Sequence, residues 1–264
     1  MPEKTVVLTG AAGGMGTEVR RLLEKNGYHV WALDVAEHDA PNYIRCDITD
    51  LDSVRAAASR VKSASGKIDA IVHTAGIYDM NSLVEMSEED FVRIFNVNLF
   101  GIYRVNREFL SLLNPESRIV MVSSELAPLD PLPFNGIYSI TKAAIEKYAY
   151  SLRMELQLLG HKVVVIRPGA VKTALLDVSQ NKIEKFCNST ELYGNTSRRF
   201  LKLVNRIETS SVEPIKIAEK VLKALESRNP RYVYNINRSP LLMLMSALPQ
   251  HVQNMLIRKI LSNN

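Results

Sequence analysis

Two adjacent stretches near the start of the chain, Thr5-Val-Val-Leu-Thr9 and Gly10-Ala-Ala-Gly-Gly-Met-Gly16, decide the fold. The first is a continuous apolar, β-branched run, which is typical of a parallel strand buried on both faces. The second is a glycine turn, and it leads into an amphipathic stretch that ends at Gly27. Strand, glycine turn and helix predict a pyrophosphate site, because glycines admit a close approach and a helix N-terminus attracts anions. A glycine-rich turn with only a structural role is the alternative.

The alternation of strand and helix continues along the chain. Apolar β-branched runs predict further strands at 29–33, 42–46, 68–72, 119–122, 162–166 and 231–235. Helical spacing of apolar residues predicts helices at 49–65, through most of 86–113, and at 138–159 and 214–227. This order predicts an α/β protein, a Rossmann-type doubly wound parallel sheet with helices on both faces, in a single domain over residues 1–264.

Composition narrows the class of protein. A chain of 264 residues with 46% hydrophobic and 23% charged residues is large enough for one well-packed domain. The net charge of +5 is scattered, which argues against nucleic acid as a partner. Cys46 and Cys187 stand far apart without a cysteine or histidine cluster, so no metal site is predicted. The early strand leaves no room for a signal peptide and no apolar run is long enough to span a membrane, so we expect a soluble cytoplasmic protein.

A second stretch, Tyr138-Ser-Ile-Thr-Lys142, carries the chemistry, and Ser124 stands fourteen residues before its tyrosine. Residues four apart on a helix share a face, so the two side-chain tips can reach one site. We expect the lysine ammonium to lower the tyrosine pKa from its usual value of about 10 toward the range of general acid–base catalysis. A serine hydroxyl could hold the same reacting oxygen. The alternative is a packing tyrosine and a lysine with a solvated tip.

Asp34 ends the second predicted strand, about 20 residues beyond the glycines. A carboxylate there accepts hydrogen bonds from ribose hydroxyls and repels a 2′-phosphate, and no arginine or lysine stands beside it. The sequence therefore favours NAD over NADP, although an aspartate ending a strand is also a common turn residue. Asp47 and Ile48 are expected at the adenine, and Thr74-Ala75-Gly76 are small enough for a cofactor to approach closely.

These motifs together resemble the short-chain dehydrogenase/reductase family over residues 4–236. The resemblance rests on Thr9-Gly10, Gly14, Gly16, Asp34, Thr74-Ala75-Gly76, Asn98, Ser124, Tyr138, Lys142 and Pro168-Gly169. It implies a catalytic tetrad. Tyr138 would be the acid/base, Ser124 would hold the substrate oxygen, Lys142 would bind the nicotinamide ribose, and Asn98 would hold a water linking the lysine to solvent.

The resemblance also implies the cofactor contacts. The pyrophosphate would meet Gly10, Ala12, Gly14 and Met15. The adenosine would meet Asp34, Asp47 and Ile48. Val171 and Thr173, which follow Pro168-Gly169, would reach the nicotinamide carboxamide, near Tyr138 and Lys142. The small residues Thr74, Ala75 and Gly76 would allow the cofactor to approach closely. The family usually pairs through the helices that carry Asn98 and Tyr138, which implies a homodimer or homotetramer.

The sequence departs from the family pattern at two places. His73-Thr74-Ala75-Gly76 stands where the family commonly has Asn-Asn-Ala-Gly, which changes the local hydrogen bonding between strands. His73 is more easily read as a hydrogen-bonded core histidine than as a catalytic one. Glu125 follows Ser124 on the expected substrate side. It either selects a polar group of the substrate or points to solvent, and the sequence does not decide between these.

Two segments are expected to shape the substrate site. Residues 170–211 are polar, weakly periodic and long for a loop, which predicts a lid over a binding site. Residues 239–264 form an apolar C-terminal extension, and Asn229-Pro-Arg-Tyr-Val-Tyr234 with the following Leu/Met run is similar to retinol and hydroxysteroid dehydrogenases. We expect this extension to pack on the core or on a second subunit. A substrate mouth or peripheral membrane contact is the alternative.

The leading hypothesis is an NAD-dependent oxidoreductase that interconverts a secondary alcohol and a ketone on an apolar, hydroxysteroid- or retinol-like small molecule. A nucleotide-sugar epimerase or dehydratase with tightly bound NAD is the first alternative, because Gly10, Gly13 and Gly16 also fit the spacing of those relatives. A non-catalytic NAD-binding sensor is the second, and the full tetrad argues against it.

Overall fold

The computed structural model describes residues 3–208 and 211–262, apart from the side chains of 174–181 and 206–208. The strands of this part of the chain form one parallel sheet in the order β3-β2-β1-β4-β5-β6-β7. They are β1 (Lys4–Thr9), β2 (Tyr28–Asp34), β3 (Tyr43–Arg45), β4 (Ile68–His73), β5 (Leu113–Val122), β6 (Lys162–Pro168) and β7 (Val233–Ile236). The predicted Rossmann-type α/β fold is confirmed.

Helices cover both faces of the sheet, as the buried apolar strands require. In β1, Val6 and Leu8 pack into the core on one face, and Val7 packs into the core on the other. The helices are α1 (Gly14–Lys25), α2 (Leu51–Ser65), α3 (Glu88–Phe95), α4 (Gly101–Phe109), α5 (Gly136–Leu156), α6 (Ala174–Ser189), α7 (Gly194–Glu208), α8 (Ile215–Glu226), α9 (Pro240–Ser246) and α10 (Gln250–Leu261). Helices α1 and α8 cover the first face, and α2, α4 and α5 the second.

The strand order reverses between β1 and β4, and this reversal positions the site. Ligands of open α/β sheets bind in the crevice at such a switch point, beyond the carboxyl ends of the strands. Here Thr74 closes the gap between the two strands: its N–H and hydroxyl both donate to the carbonyl oxygen of Thr9, at 3.1 and 2.7 Å. The threonine hydroxyl therefore supplies a strand-to-strand bond at a position where the family pattern has an asparagine.

Two predicted elements differ in the structure. The helix expected through most of 86–113 is interrupted by a π-helical turn, Asn96–Phe100, between α3 and α4. The segment 170–211 is largely helical, in α6 and α7, rather than a long polar loop. Its buried residues are too sparse for a clear sequence periodicity, but Phe186 and Phe200 both pack on Phe134.

The C-terminal extension packs on its own chain. Leu242 of α9 and Leu261 of α10 are buried, and Gln253 donates through Nε2 to Asp130 at 2.8 Å. The extension was expected to pack either on the core or on a second subunit, and packing on the core is observed. Within the described residues, no helix has both the length and the apolar character that a membrane crossing requires.

His73, at the end of β4, is a buried hydrogen-bonded histidine, as the sequence indicated. Its side chain is 1% exposed, and Nε2 lies 2.9 Å from Oδ1 of Asn106. Burial disfavours the imidazolium and lowers the pKa of His73 from 6.5 to about 4. The histidine is therefore neutral near pH 7 and serves packing.

Acid should destabilise the protein through His73. Between pH 6.5 and about 4 the unfolded histidine binds a proton that the folded one does not, so this stability is present above the unfolded pKa and falls as the pH drops. The full loss is about 3 kcal/mol below the folded pKa. We expect the difference in the free energy of unfolding between His73→Gln and the wild type to become smaller as the pH falls. Urea titrations at several pH values measure this difference. His38→Gln, at an exposed position, is the control. A gap that stays constant with pH would contradict a neutral buried His73.

Candidate active site

One cavity of about 150 Å³ lies beyond the carboxyl ends of the central strands. Ten of the sequence-predicted site residues line it: Met15, Thr74, Gly76, Ser124, Tyr138, Lys142, Pro168, Gly169, Val171 and Thr173. The remaining predicted residues lie outside its lining: Gly10, Ala12, Gly14, Asp34, Asp47, Ile48, Ala75 and Asn98. The structure thus brings the predicted catalytic side and the nicotinamide side together.

The glycine turn forms a cradle that side chains would close. Gly10 has φ +72°, and a Cβ on it would lie 2.4 Å from the backbone nitrogen of Ala75. A Cβ on Gly16 would lie 2.0 Å from the carbonyl oxygen of Gly10. Helix α1 starts after Gly13 with no side-chain cap and no acidic residue in its first turn. This open, positively polarised helix end fits a pyrophosphate.

Asp34 holds the glycine turn at its other side. Its Oδ2 accepts a hydrogen bond from the backbone N–H of Ala12 at 3.0 Å, and Oδ1 accepts one from Ala36 at 3.1 Å. The Ala12 amide, expected at the pyrophosphate, is directed to this carboxylate. Within the described part of the chain, no arginine or lysine forms an ion pair with Asp34. Asp34 therefore places a carboxylate beside the glycine turn, and Arg45, its neighbour in register on β3, forms an ion pair with Glu37.

Asp47 and Ile48 follow β3, at the adenine side of the predicted cofactor site. Asp47 accepts hydrogen bonds through Oδ1 from the N–H and hydroxyl of Thr49, at 2.8 and 2.7 Å. Ile48 is buried against Gly101, where a Cβ would come within 2.6 Å of its Cδ1. Ile48 thus packs the start of α4 against the β3 loop.

Asn98 lies in the π-helical turn and is fully buried. Its Oδ1 accepts from the N–H of Ile77 at 2.8 Å, and its Nδ2 donates to the carbonyl oxygen of Ile77 at 3.0 Å and to Oγ1 of Thr141 at 3.1 Å. Thr141 in turn donates to the carbonyl oxygen of Tyr138 at 2.8 Å. Asn98 therefore fixes the loop after β4 against the helix that carries the tyrosine.

Tyr138 is buried in the cavity wall and is hydrogen-bonded to Ser124. Burial disfavours the phenolate and raises the pKa of Tyr138 to about 12, although the hydrogen bond with Ser124 acts in the opposite direction. The expectation that this pKa falls below its usual value is wrong for this structure, because burial outweighs any stabilisation of a phenolate by Lys142, whose Nζ lies 5.5 Å from the ring centroid. The tyrosine is a neutral phenol near pH 7.

Lys142 is buried beside the tyrosine, and Nζ donates to the carbonyl oxygen of Val122 at 3.2 Å. Burial lowers the pKa of Lys142 to about 8, and the negative charge of Glu146 partly offsets this. Glu146 is held by Arg167 in a two-point ion pair and by the hydroxyl of Ser123 at 3.0 Å. Sequence reasoning missed Glu146, although it stands four residues after Lys142 and so on the same helix face.

Glu125 does not point to solvent. Its side chain lines the cavity, and the residue is 6% exposed. Its Oε2 accepts a hydrogen bond at 2.6 Å from the backbone N–H of Ser239, and Ser239 is the N-terminal capping residue of α9. Burial raises the pKa of the Glu125 carboxyl, while the bond from Ser239 and the charge of Arg238 lower it. Of the two alternatives that the sequence left open for Glu125, the structure therefore excludes a side chain that points to solvent.

Gly169 closes the cavity where three strand ends meet. Its N–H donates to the carbonyl oxygen of Ile236 at 2.8 Å. A Cβ on it would lie 2.0 Å from the carbonyl oxygen of Asn237 and 2.8 Å from Oε1 of Glu125. Beyond Gly169, Val171 pairs with Val212, so the two ends of the 170–211 segment are joined.

The outer wall of the cavity is apolar and comes from segments distant in sequence: Leu126, Leu132, Phe200, Val204 and Leu242. Phe134 anchors this wall, with φ +63° and ring contacts of 4.8–5.4 Å to Phe186, Tyr193 and Phe200. Asn135, which sequence reasoning missed, also lines the cavity, and its Oδ1 has no partner within the described residues. Its position three residues before Tyr138 is the only sequence signal for it.

Comparisons with known proteins agree with this geometry. The family described as short chain dehydrogenase matches residues 4–184. The 3-ketodihydrosphingosine reductase of Bacteroides thetaiotaomicron is 26% identical over 237 residues, covering 88% of this chain and 87% of that protein. The 17-beta-hydroxysteroid dehydrogenase type 6 of Rattus norvegicus is 31% identical over 262 residues, covering 88% and 80%.

A solved short-chain dehydrogenase of Burkholderia cenocepacia in complex with NADP has the same fold. It superposes with a TM-score of 0.71 at 22% identity, covering 98% of each chain. The chain therefore belongs to the short-chain dehydrogenase family, and it is an oxidoreductase of that family.

Gly169→Ala should destabilise the protein. The new Cβ would meet backbone at Asn237, which cannot yield as a side chain would, and overpacking of this kind costs about 1–3 kcal/mol or more. Gly194→Ala is the matched control, because a Cβ there meets nothing within 4 Å. Chemical denaturation of both variants measures the difference. Equal stabilities for the two variants would show that the strand ends are looser than the contacts at Gly169 indicate.

Proposed function

We propose that the protein is an NAD-dependent oxidoreductase that interconverts a secondary alcohol and a ketone on an apolar substrate. One observation carries the proposal: Ser124, Tyr138 and Lys142 line a single cavity whose outer wall is apolar. Family membership supports the reaction class. The identity of the cofactor and the class of substrate rest on the residues of this chain.

The glycine cradle and Asp34 would hold the dinucleotide, and Thr173, Val171 and Gly76 would meet its nicotinamide end. The chemistry that a nicotinamide supplies when bound is hydride transfer. Gly14 and Thr173 face each other closely across the site, since a Cβ on Gly14 would lie 2.8 Å from Cγ2 of Thr173. The pyrophosphate side and the nicotinamide side of the proposed cofactor site are therefore adjacent.

The chain's own groups then manage the proton. Tyr138, a neutral phenol near pH 7, donates its proton to a carbonyl oxygen in reduction and becomes a phenolate. In oxidation it is this phenolate, formed by prior loss of the phenol proton, that accepts the proton of the substrate hydroxyl. Ser124 donates a hydrogen bond to the same oxygen and holds it beside the phenol. Lys142 places a positive charge near the tyrosine and stabilises the phenolate that forms after proton donation.

An apolar substrate fits the walls of the cavity. Leucine, valine and phenylalanine side chains from three separate segments, the β5–α5 loop, α7 and α9, line the part beyond the reacting groups. The segment 170–211 contributes Phe200 and Val204 to this wall, which supports its proposed role as a substrate lid. The names of the bacterial reductase and the rat hydroxysteroid dehydrogenase point to lipophilic ketones and alcohols, and they support the same class here.

Charge at the cavity argues against a sugar nucleotide as substrate. A nucleotide diphosphate outside the cofactor site would need arginine or lysine partners. Among the described lining residues, Lys142 is the only lysine or arginine, and it lies beside the tyrosine.

Aromatic and apolar side chains exposed on α4 and α5, including Tyr103 and Tyr150, support the homo-oligomer that the family resemblance implies.

Tyr138→Phe should lower kcat about 100-fold or more while leaving NAD affinity largely unchanged, because general acid–base catalysis contributes about 10²–10⁴-fold. The assay follows NADH optically across hydroxysteroids, retinol and simple secondary alcohols, and is repeated with NADP. Tyr148→Phe is the matched control, since its hydroxyl bonds Asn106 outside the cavity. Retained turnover in Tyr138→Phe would remove this residue as the acid/base, and no turnover of any alcohol by the wild type would overturn the proposed function.

Asp34 should set the preference for NAD. We expect Asp34→Ala to weaken NAD binding by about tenfold or more, because charge-assisted hydrogen bonds to the ribose are lost. Asp34→Asn keeps an acceptor for Ala12 and removes only the charge, so it should mainly relax the discrimination against NADP. Equilibrium binding of both cofactors to the three proteins tests this. An NAD:NADP affinity ratio that is the same in all three would remove Asp34 as the selecting residue.

A further inference from the structure

Tyr138 packs against a second tyrosine, Tyr78, that the proposed function does not use. The centroids of the two rings lie 4.5 Å apart, and the ring planes are inclined by 56°. Tilted aromatic pairs at such separations attract each other. Both side chains line the cavity. Tyr78 therefore lies inside the site, against the ring of the residue that transfers the proton.

The other neighbours of Tyr138 are mainly apolar. Tyr138 forms a small core cluster with two isoleucines, and the side chains packed against this cluster are Ile77, Tyr78, Met86, Phe95 and Leu126. Among these, Tyr78 is the aromatic side chain that also lines the cavity. The titratable groups near Tyr138 within the described chain are Lys142 on the same helix, Tyr78, and Glu125 in the cavity wall. Glu125 is bonded to Ser239.

The residue before Tyr78 is held by Asn98. The N–H of Ile77 donates to Oδ1 of Asn98 at 2.8 Å, and the carbonyl oxygen of Ile77 accepts from Nδ2 at 3.0 Å. Both polar backbone groups of Ile77 are thereby bonded to one buried side chain. This fixes the direction in which the chain enters Tyr78.

The residue after Tyr78 is held by two cations. The side chain of Asp79 is 3% exposed, and its Oδ2 lies 3.6 Å from Arg93 of α3 and 3.5 Å from Lys182 of α6. Tyr78 thus stands between two anchored residues. A displacement of its ring away from Tyr138 would disturb polar contacts on both sides.

We propose that Tyr78 is a positioning residue, whose ring holds the ring of Tyr138 beside Ser124 and excludes water from its phenol. This inference rests on the proposed function, in which Tyr138 transfers the proton. Exclusion of water disfavours the phenolate more than the neutral phenol, so a covered tyrosine stays protonated to a higher pH. Tyr78 would thereby set the pH at which Tyr138 changes from an acid to a base.

Two substitutions separate the ring of Tyr78 from its hydroxyl. Tyr78→Leu leaves room for water beside the phenol, and Tyr78→Phe keeps the ring. We expect Tyr78→Leu to lower the pKa of Tyr138 from about 12 by about one unit or more, toward the usual value of about 10. Tyr78→Phe should leave this pKa within a few tenths of a unit. Tyr78 is only partly buried, so both variants are expected to fold, and Tyr78→Met replaces Tyr78→Leu if denaturation curves show that it does not.

Two measurements follow the titration of Tyr138. The pH profile of kcat for oxidation of a secondary alcohol with NAD should move to lower pH in Tyr78→Leu by the same amount as the pKa, because oxidation needs the phenolate. The ultraviolet absorbance of phenolate measures the same shift without any substrate. The absorbance lost when Tyr138→Phe is added to each background isolates this one tyrosine.

Phe91→Leu is the matched control, because it removes a ring contact of 5.3 Å, with Phe95, at a position outside the cavity. Its pH profile and its titration should equal those of the wild type. A Tyr78→Leu variant with an unshifted Tyr138 would overturn the inference, and so would a Tyr78→Phe variant that shifts as far as Tyr78→Leu. If the wild type oxidises no alcohol, the proposed function fails, and the absorbance titration still decides whether the ring of Tyr78 covers Tyr138.

Discussion

The buried ammonium of Lys142 is the constraint on which the rest of the site depends. A lysine removed from water must find partners or lose its charge, and the shift of its pKa to about 8 reflects that cost. Its partners come from two elements: the carbonyl of Val122 at the end of β5, and Glu146 one turn further along α5. Arg167 of β6 then balances Glu146. One desolvated charge thereby fixes two strands and a helix relative to each other.

The π-helical turn makes a similar connection on the opposite side of the cavity. A π-helical turn interrupts the regular helical hydrogen bonding, and such turns are frequent at functional sites. Here the turn carries Asn98 into the interior, where it bonds Ile77 and Thr141. Thr141 donates to the carbonyl oxygen of Tyr138. Asn98 therefore helps to position the backbone of the tyrosine as well as the loop after β4.

Much of the fold was predictable, because the signals are local. Buried parallel strands have apolar runs such as Thr5–Thr9, and their ends are marked by turn residues such as Gly10. The i, i+4 spacing of Tyr138 and Lys142 by itself places both on one helix face. The π-helical turn was not predictable, since its residues have ordinary helical propensity. Helices α6 and α7 were missed because Phe186 and Phe200 become buried only against Phe134.

By itself, the sequence determined the sheet, the glycine cradle and the identity of the groups that meet at the strand ends. Those properties depend on residue type, short-range spacing and the rule that parallel strands end at one edge. Only the tertiary structure decided that burial, rather than Lys142, dominates the pKa of Tyr138, and that Glu125 faces the cavity with Ser239 on one oxygen. Desolvation and long-range hydrogen bonds depend on which distant segments cover a group, and residues 125 and 239 are brought together only by the folded chain.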